Sequence, residues 1–327
     1  MAKKFRTGEL SPLAKRFSNN KECNLLPYER EDLLTIQDVE QRIGWEITAF
    51  NLPEAWNYSQ GEGVVVAVLD TGADLDHDDL ICNLLPGKNF VNPDSPPEDD
   101  NGHGSHVTGI IAACNNECGV VGIAPKAKVI PVKILDNKGS GNLVNTSNAI
   151  RWAADQGVNF ITMSLGSPVP MPMVRSAIQY AAEKGAVTFC AAGNAGNTRQ
   201  IFYPAAYPET IGIGAIDENF DRASFSCTGP DLDFVCPGVD ICSTVPDNWY
   251  AVLSGTSMAN PFAVGIACLL LSYKKAKNLN IQLNNAADYI NIMKQYTIPT
   301  KDFDGQHMFE GFGIIDPRKM EEWIKKN

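Results

Sequence analysis

The sequence predicts an α/β fold in which a parallel β-sheet carries helices on both faces. Three observations predict it. Short runs rich in Val and Ile recur along the chain, amphipathic stretches of helical length separate them, and the composition is 44% hydrophobic and 20% charged over 327 residues. An apolar run without alternation suits a strand buried on both faces, as parallel sheets require, because their crossover connections lay helices above and below. A chain of this length buries a large core.

In chain order, residues 1–38 stand apart: they are polar, charged and broken by SNNK and LPYERED. They are read as an N-terminal extension, followed by a main domain over 39–318 and a tail over 319–327. The first buried strand is GVVVAVLD, ending at Asp70, and HGSHVTGIIAAC from His103 is the first helix. KVIPVKIL then reads as a strand, LVNTSNAIRWAADQG as a helix, VNFITMSLG as a strand and MVRSAIQYAAEKG as a helix. AVTFCAAGN and TIGIGAI follow as strands, and FAVGIACLLLSYKK as an apolar helix beginning just after Ser257. In such sheets functional groups collect at the carboxyl ends of the strands.

The net charge of −11 and pI of about 4.9 argue against nucleic acid or an anionic membrane as partner, since phosphate contacts need clustered Lys and Arg. No run of about 18 apolar residues suggests a membrane span, and the basic start MAKKFRTGELSPLAKRF lacks the apolar core of a secretion signal. The nine cysteines are odd in number and lie mostly in apolar runs, which predicts buried free thiols rather than a disulfide framework. A reducing, cytoplasmic location is therefore expected. Cys114 and Cys118 have no matching pair at zinc spacing.

Ser257, in LSGTSMANP, sits where a loop turns into a helix. Taken alone it is a helix cap, which a Ser or Thr at such a place ordinarily is. A serine becomes a nucleophile only with a base in reach and a third group to orient that base. Asp70 at a strand end and His103 at a helix start supply those residue types, although each has its own dull reading as a turn carboxylate and a surface histidine. Of the other histidines, His106 is expected to be structural, and His77 and His307 to face solvent.

Together, in the order Asp, His, Ser, these residues match the subtilisin order. DTGADLDHDDL, NGHGSHVTG, AAGNAG and GTSMANP resemble the Asp, His, oxyanion and Ser motifs of the subtilisin family of serine proteases, over roughly residues 40–318. The resemblance implies a peptidase acting on peptide or protein substrates through Asp70, His103 and Ser257, with Asn194 as oxyanion donor. It implies that substrate pairs as a strand with Gly139-Ser140-Gly141 and Ser164-Leu165-Gly166, and that Phe202 stands at the floor of the primary specificity pocket. It also implies a Ca²⁺ site built from Gln41, Asp79 and Asn116 with the loop CNNECGV, oxygen ligands of the kind Ca²⁺ takes.

One segment sets a subfamily. Leu25-Leu26-Pro27-Tyr28 is similar to the Leu-Ile-Pro-Tyr segment of the intracellular subtilisins, and IGWEI to their mature start. That likeness implies a Ca²⁺-dependent cytoplasmic enzyme, often homodimeric, held inactive by a short N-terminal inhibitory segment. Two alternatives remain at this level: a secreted, disulfide-bonded protease of the same fold, and a catalytically silent binding protein.

Overall fold

The computed structural model describes residues 22–34, 41–196, 198–300 and 307–326. The strands run β1 Glu22–Leu25, β2 Glu29–Leu34, β3 Val65–Asp70, β4 Lys88–Asn89, β5 Lys128–Lys133, β6 Ser140–Asn142, β7 Phe160–Met163, β8 Leu165–Gly166, β9 Val187–Ala191, β10 Thr210–Ile216, β11 Phe234–Pro237, β12 Ile241–Val245, β13 Trp249–Ser254, β14 Thr297–Ile298 and β15 Ile314–Ile315. The longer helices are α1 His103–Ala112, α2 Leu143–Asp155, α3 Pro172–Glu183, α4 Thr256–Lys277, α5 Ala286–Met293 and α6 Pro317–Lys326.

Nine strands form the main sheet in the order β14-β15-β11-β10-β9-β7-β3-β5-β4. Every pairing in it is parallel except β14 with β15. The buried runs read from the sequence are its central strands, with each residue of β7, β9 and β10 buried. The chain leaves β3 for β5 on one side and then passes to β7 and β9 on the other. Right-handed crossovers taken in opposite directions lay their helices on opposite faces, so α1 lies on one face and α2 and α3 on the other. Helix α4 packs beside α1 and against β9, β10 and β11, while α2 packs against α3. The reversal at β3 opens a crevice at the strand ends, where ligands bind in open α/β sheets. Asp70, the last residue of β3, stands there.

Helix α4 is long and apolar enough to cross a membrane by length and composition. Thr256 through Ser272 of it are all buried, so it is the core helix of the domain. Its lysines 274, 275 and 277 in the last turn complement the negative end of the helix dipole. At the other end of the chain, α6 runs through the domain boundary expected at residue 318.

Contacts between distant segments correct two expectations, the free thiols at one pair of cysteines and the exposure of His77. Cys82 and Cys114 form a disulfide and the other seven cysteines are free, six of them buried. The pair joins the turn after Asp79 to the loop after α1, a proximity set by packing. His77 is fully buried and does not face solvent: Nε2 lies 3.2 Å from the Trp249 carbonyl, and Nδ1 accepts from the Asp79 amide at 3.1 Å. The β12–β13 hairpin closes over the acidic turn that carries it. The side chain of His307 and the boundary at residue 38 fall outside the described residues.

Candidate active site

Asp70 and His103 meet at the crevice, and Ser257 stands at the start of α4, each side chain set by the end of an element. His103 opens α1, and its Nδ1 lies 2.8 Å from Asp70 Oδ1. Asp70 Oδ1 also accepts the Thr71 amide at 2.8 Å, which fixes the carboxylate plane. Ser257 is the second residue of α4, and its Oγ donates to the Ser164 carbonyl at 3.3 Å. All three residues are fully buried. Among the described residues, His103 Nε2, the nitrogen turned away from Asp70, has no hydrogen-bond partner.

Asn194 is held by residues the sequence did not single out. Its Oδ1 accepts from the Thr256 amide at 2.9 Å and from Thr256 Oγ1 at 2.7 Å. With the oxygen so occupied, Nδ2 is aimed outward, where it donates to the Pro27 carbonyl at 2.6 Å. Asp99 performs a similar service for His103. Its Oδ1 accepts from Thr71 Oγ1 at 2.8 Å and from the Gly102 amide at 2.9 Å. Its Oδ2 accepts from the Ser105 amide and hydroxyl at 2.8 and 2.6 Å. This buried carboxylate ties the first turn of α1 to the end of β3. The only signal in the sequence is position, Thr256 inside GTSMANP and Asp99 just before NGHGSHVTG. His106, one turn after His103, lies 3.1 and 3.0 Å from the Ile241 and Ala251 carbonyls, so it braces α1 against β12 and β13.

The N-terminal segment runs through the crevice. β1 pairs antiparallel with β6, placing Cys23 opposite Gly141 and Asn24 opposite Ser140. It pairs antiparallel with β8 on its other side, Asn24 opposite Gly166 and Leu25 opposite Leu165. Leu25 N–H donates to the Gly139 carbonyl at 2.9 Å. Gly139 has φ +71°, and a Cβ there would stand 2.6 Å from Leu25 Cδ1, so only glycine serves both the turn and the close approach. Leu26 is fully buried, its Cδ2 against Gly166 beside Phe202. Phe202 is itself buried and packs its ring against Gly193. The Tyr28 ring lies over His103, centroids 5.1 Å apart.

A second cluster stands away from the crevice. The Gln41 side-chain amide points at the Cys114 and Val120 carbonyls, 3.0 and 3.1 Å away. Asp79 accepts from Asn116 Nδ2 at 2.9 Å, the Val120 amide at 2.8 Å and the Tyr250 hydroxyl at 2.9 Å. Two carboxamides, a carboxylate and two peptide carbonyls meet here. Turning both carboxamides over presents their oxygens instead of their nitrogens, which gives an all-oxygen donor set of the type that hard divalent cations take. These residues therefore fit Ca²⁺.

Peptide-bond hydrolysis by a serine is the chemistry the fold and this crevice define, and the chain is a serine endopeptidase by class. A profile of the subtilase family matches residues 61–313, and the chain belongs to that family. It is 45% identical over 240 residues to thermitase of Thermoactinomyces vulgaris, an alignment covering 73% of this chain and 86% of that one. It is 38% identical over 312 residues to an intracellular serine protease of Paenibacillus polymyxa, covering 92% and 93%. With subtilisin Savinase of Lederbergia lenta the identity is 42% over 246 residues, covering 75% and 90%.

Proposed function

We propose that the chain is an autoinhibited endopeptidase in which Ser257 is the nucleophile, His103 the general base and acid, Asp70 the group that orients and stabilises the imidazolium, and Asn194 the oxyanion donor. In the closed state the Ser257 hydroxyl is turned to Ser164. When the N-terminal segment leaves, it turns to His103 Nε2, which then takes its proton as Oγ attacks the peptide carbonyl and returns it to the leaving amine. The developing oxyanion is held by Asn194 Nδ2 and by the Ser257 amide at the start of α4, where unpaired N–H groups and the helix dipole favour negative charge. Substrate enters as the middle strand between Gly139-Ser140-Gly141 and Ser164-Leu165-Gly166.

The observation that carries this reading is the Pro27 carbonyl on Asn194 Nδ2 with β1 seated between β6 and β8. The chain's own peptide lies where substrate would. It lies there out of register: the side chain against Gly166 and Phe202 belongs to Leu26, whereas the carbonyl on the oxyanion donor belongs to Pro27. In a substrate one residue does both. Proline supports the offset, because its fixed φ bends the segment and it has no N–H to extend the pairing of β1. Attack needs its geometry to within about an ångström, so the offset segment blocks the site and resists cleavage. Tethering gives it an effective concentration near millimolar, and Leu25, Leu26, Pro27 and Tyr28 together need only modest affinity.

Gln41, Asp79 and Asn116 hold Ca²⁺, which supplies charge to tie the loop after α1 to the start of the main domain. Phe202 fills much of the primary pocket and favours small or medium side chains. We place the enzyme in the cytoplasm on the similarity of its inhibitory segment to intracellular subtilisins and of the whole chain to the Paenibacillus protease; the Cys82–Cys114 bond is the observation that runs against it. The test is intact-mass analysis during activation. Full-length protein should hydrolyse a peptide only after a lag that coincides with loss of the N-terminus, and Ser257→Ala should abolish both events. Full activity at zero time with residues 22–34 attached would refute the zymogen reading.

A further inference from the structure

We infer that the edge of β13 is a second substrate-binding strand, which takes the leaving-group side of an extended polypeptide for about seven residues beyond the scissile bond. The inference rests on the endopeptidase reading above. It comes from the half of the N-terminal segment that inhibition does not need. After crossing the site at Pro27 and Tyr28, the chain becomes β2 and adds to the β12–β13 hairpin as a third strand. Glu29 pairs with Ser254, Arg30 with Leu253, Leu33 with Ala251 and Leu34 with Tyr250, all antiparallel.

Polarity and continuity identify the occupant. A carbonyl held on Asn194 with its acyl side between β6 and β8 fixes the direction in which any polypeptide crosses the site, and the residues after that carbonyl emerge at Ser254. β13 ends there, and its edge leads back from Ser254 towards Trp249, away from Ser257. Counting from Pro27, the second and third following residues meet Ser254 and Leu253, and the sixth and seventh meet Ala251 and Tyr250. Once β2 departs, β13 keeps β12 on one side and presents unpaired N–H and C=O groups on the other, a template for an added strand. A substrate that has just displaced the extension from β6 and β8 already points its leaving half along that template. A strand from a second copy has no such guide into the same path.

The register shifts between Ala251 and Leu253. β13 advances two residues there while β2 advances three, so β2 carries one extra residue, as a β-bulge does. Pairing beyond the site is thus in two blocks, and recognition should grow in two steps with substrate length. A net contribution of about 1 kcal/mol for each backbone hydrogen bond, less the ordering of the added residues, leaves roughly a tenfold gain in kcat/KM over the whole edge.

The experiment uses the full chain carrying Leu26→Asp, whose buried carboxylate expels the N-terminal segment, or Leu26→Ala should that variant not fold. Peptides share one acyl side and carry two, four or seven residues after the scissile bond, with a second seven-residue series N-methylated at single positions. We expect kcat/KM to rise about tenfold from two residues to seven. N-methylation should erase the gain at alternate positions only, the signature of strand pairing, which a general preference for longer peptides would not show. Cleavage of the two-residue peptide, lost in Ser257→Ala, tests the endopeptidase reading separately; its absence sinks that reading and this one together. If that peptide is cleaved but the longer ones are no better, the inference about β13 alone is overturned. Length-independence accompanied by dimerisation of the Leu26→Asp chain would assign the edge to a second copy.

Discussion

Leu26→Ala is the sharpest perturbation of the closed state. Leu26 is 0% exposed and, among the described residues of the extension, is the largest fully buried apolar one. Truncating a buried leucine to alanine costs about 2–5 kcal/mol, transfer and residual cavity together. With Gly166 and Phe202 as its walls, the site has little freedom to collapse, and about 3 kcal/mol is a fair central value. That corresponds to roughly a hundredfold shift of the closed–open equilibrium toward open. The change weakens the closed state without altering any contact within the main domain, so the fold of that domain is untouched. The assay is the initial rate on a chromogenic peptide, taken before intact mass shows any loss of the N-terminus. The variant should start about a hundredfold faster than the parent, and its lag should all but vanish. An initial rate within about threefold of the parent, in a protein of unchanged melting temperature, would refute the claim that this side chain holds the segment in place.

Asn194→Ala should lower kcat of the activated enzyme while sparing KM, by the roughly 10²–10³ that loss of the equivalent donor costs in a subtilisin. A fall below tenfold would remove Asn194 from the oxyanion site. Burial pushes the Glu46 carboxyl up to about 7, above the ordinary value near 4.3. Its contribution to stability is therefore complete below about pH 4.3 and lost as pH rises through 7, about 3 kcal/mol by pH 8. In a Ser257→Ala background, Glu46→Gln should flatten the fall in urea midpoint between pH 5 and 8, and parallel curves would contradict the assignment. Chelation should lower the melting temperature of the parent and leave an Asp79→Asn variant, already less stable, unmoved; equal sensitivity of both would remove Asp79 from the cation site. Phe202→Gly should raise kcat/KM for phenylalanine over alanine in the pocket by about tenfold or more. An unchanged ratio would place Phe202 outside it.

Much of this molecule is legible along the chain because the signals are local. Five apolar runs between helical stretches gave the central strands, since burial on both faces leaves no polar alternation to hide them. Asp70, His103, Asn194 and Ser257 stand within motifs, and the folded chain pairs His103 with Asp70 and sets Asn194 on Thr256, the neighbour of Ser257. Leu25-Leu26-Pro27-Tyr28 could be singled out by its likeness to an inhibitory segment. What the chain could not disclose is which surfaces meet. The turn that carries His77 is acidic and reads as exposed, until a hairpin more than 160 residues later covers it. Cys82 and Cys114 lie in unrelated loops that packing makes neighbours. Thr256 and Asp99 look like ordinary polar residues until Asn194 and the first turn of α1 need a partner. The one-residue offset between the Leu26 side chain and the Pro27 carbonyl depends on the distance from Gly166 to Asn194 Nδ2, and the pairing of β2 depends on an edge formed by β13. Both are relations between surfaces assembled from remote segments. Residue type and periodicity determined the elements and the chemistry they carry, and the three-dimensional meeting of those surfaces decided the closed state, because side-chain packing and strand register exist only between elements already in place.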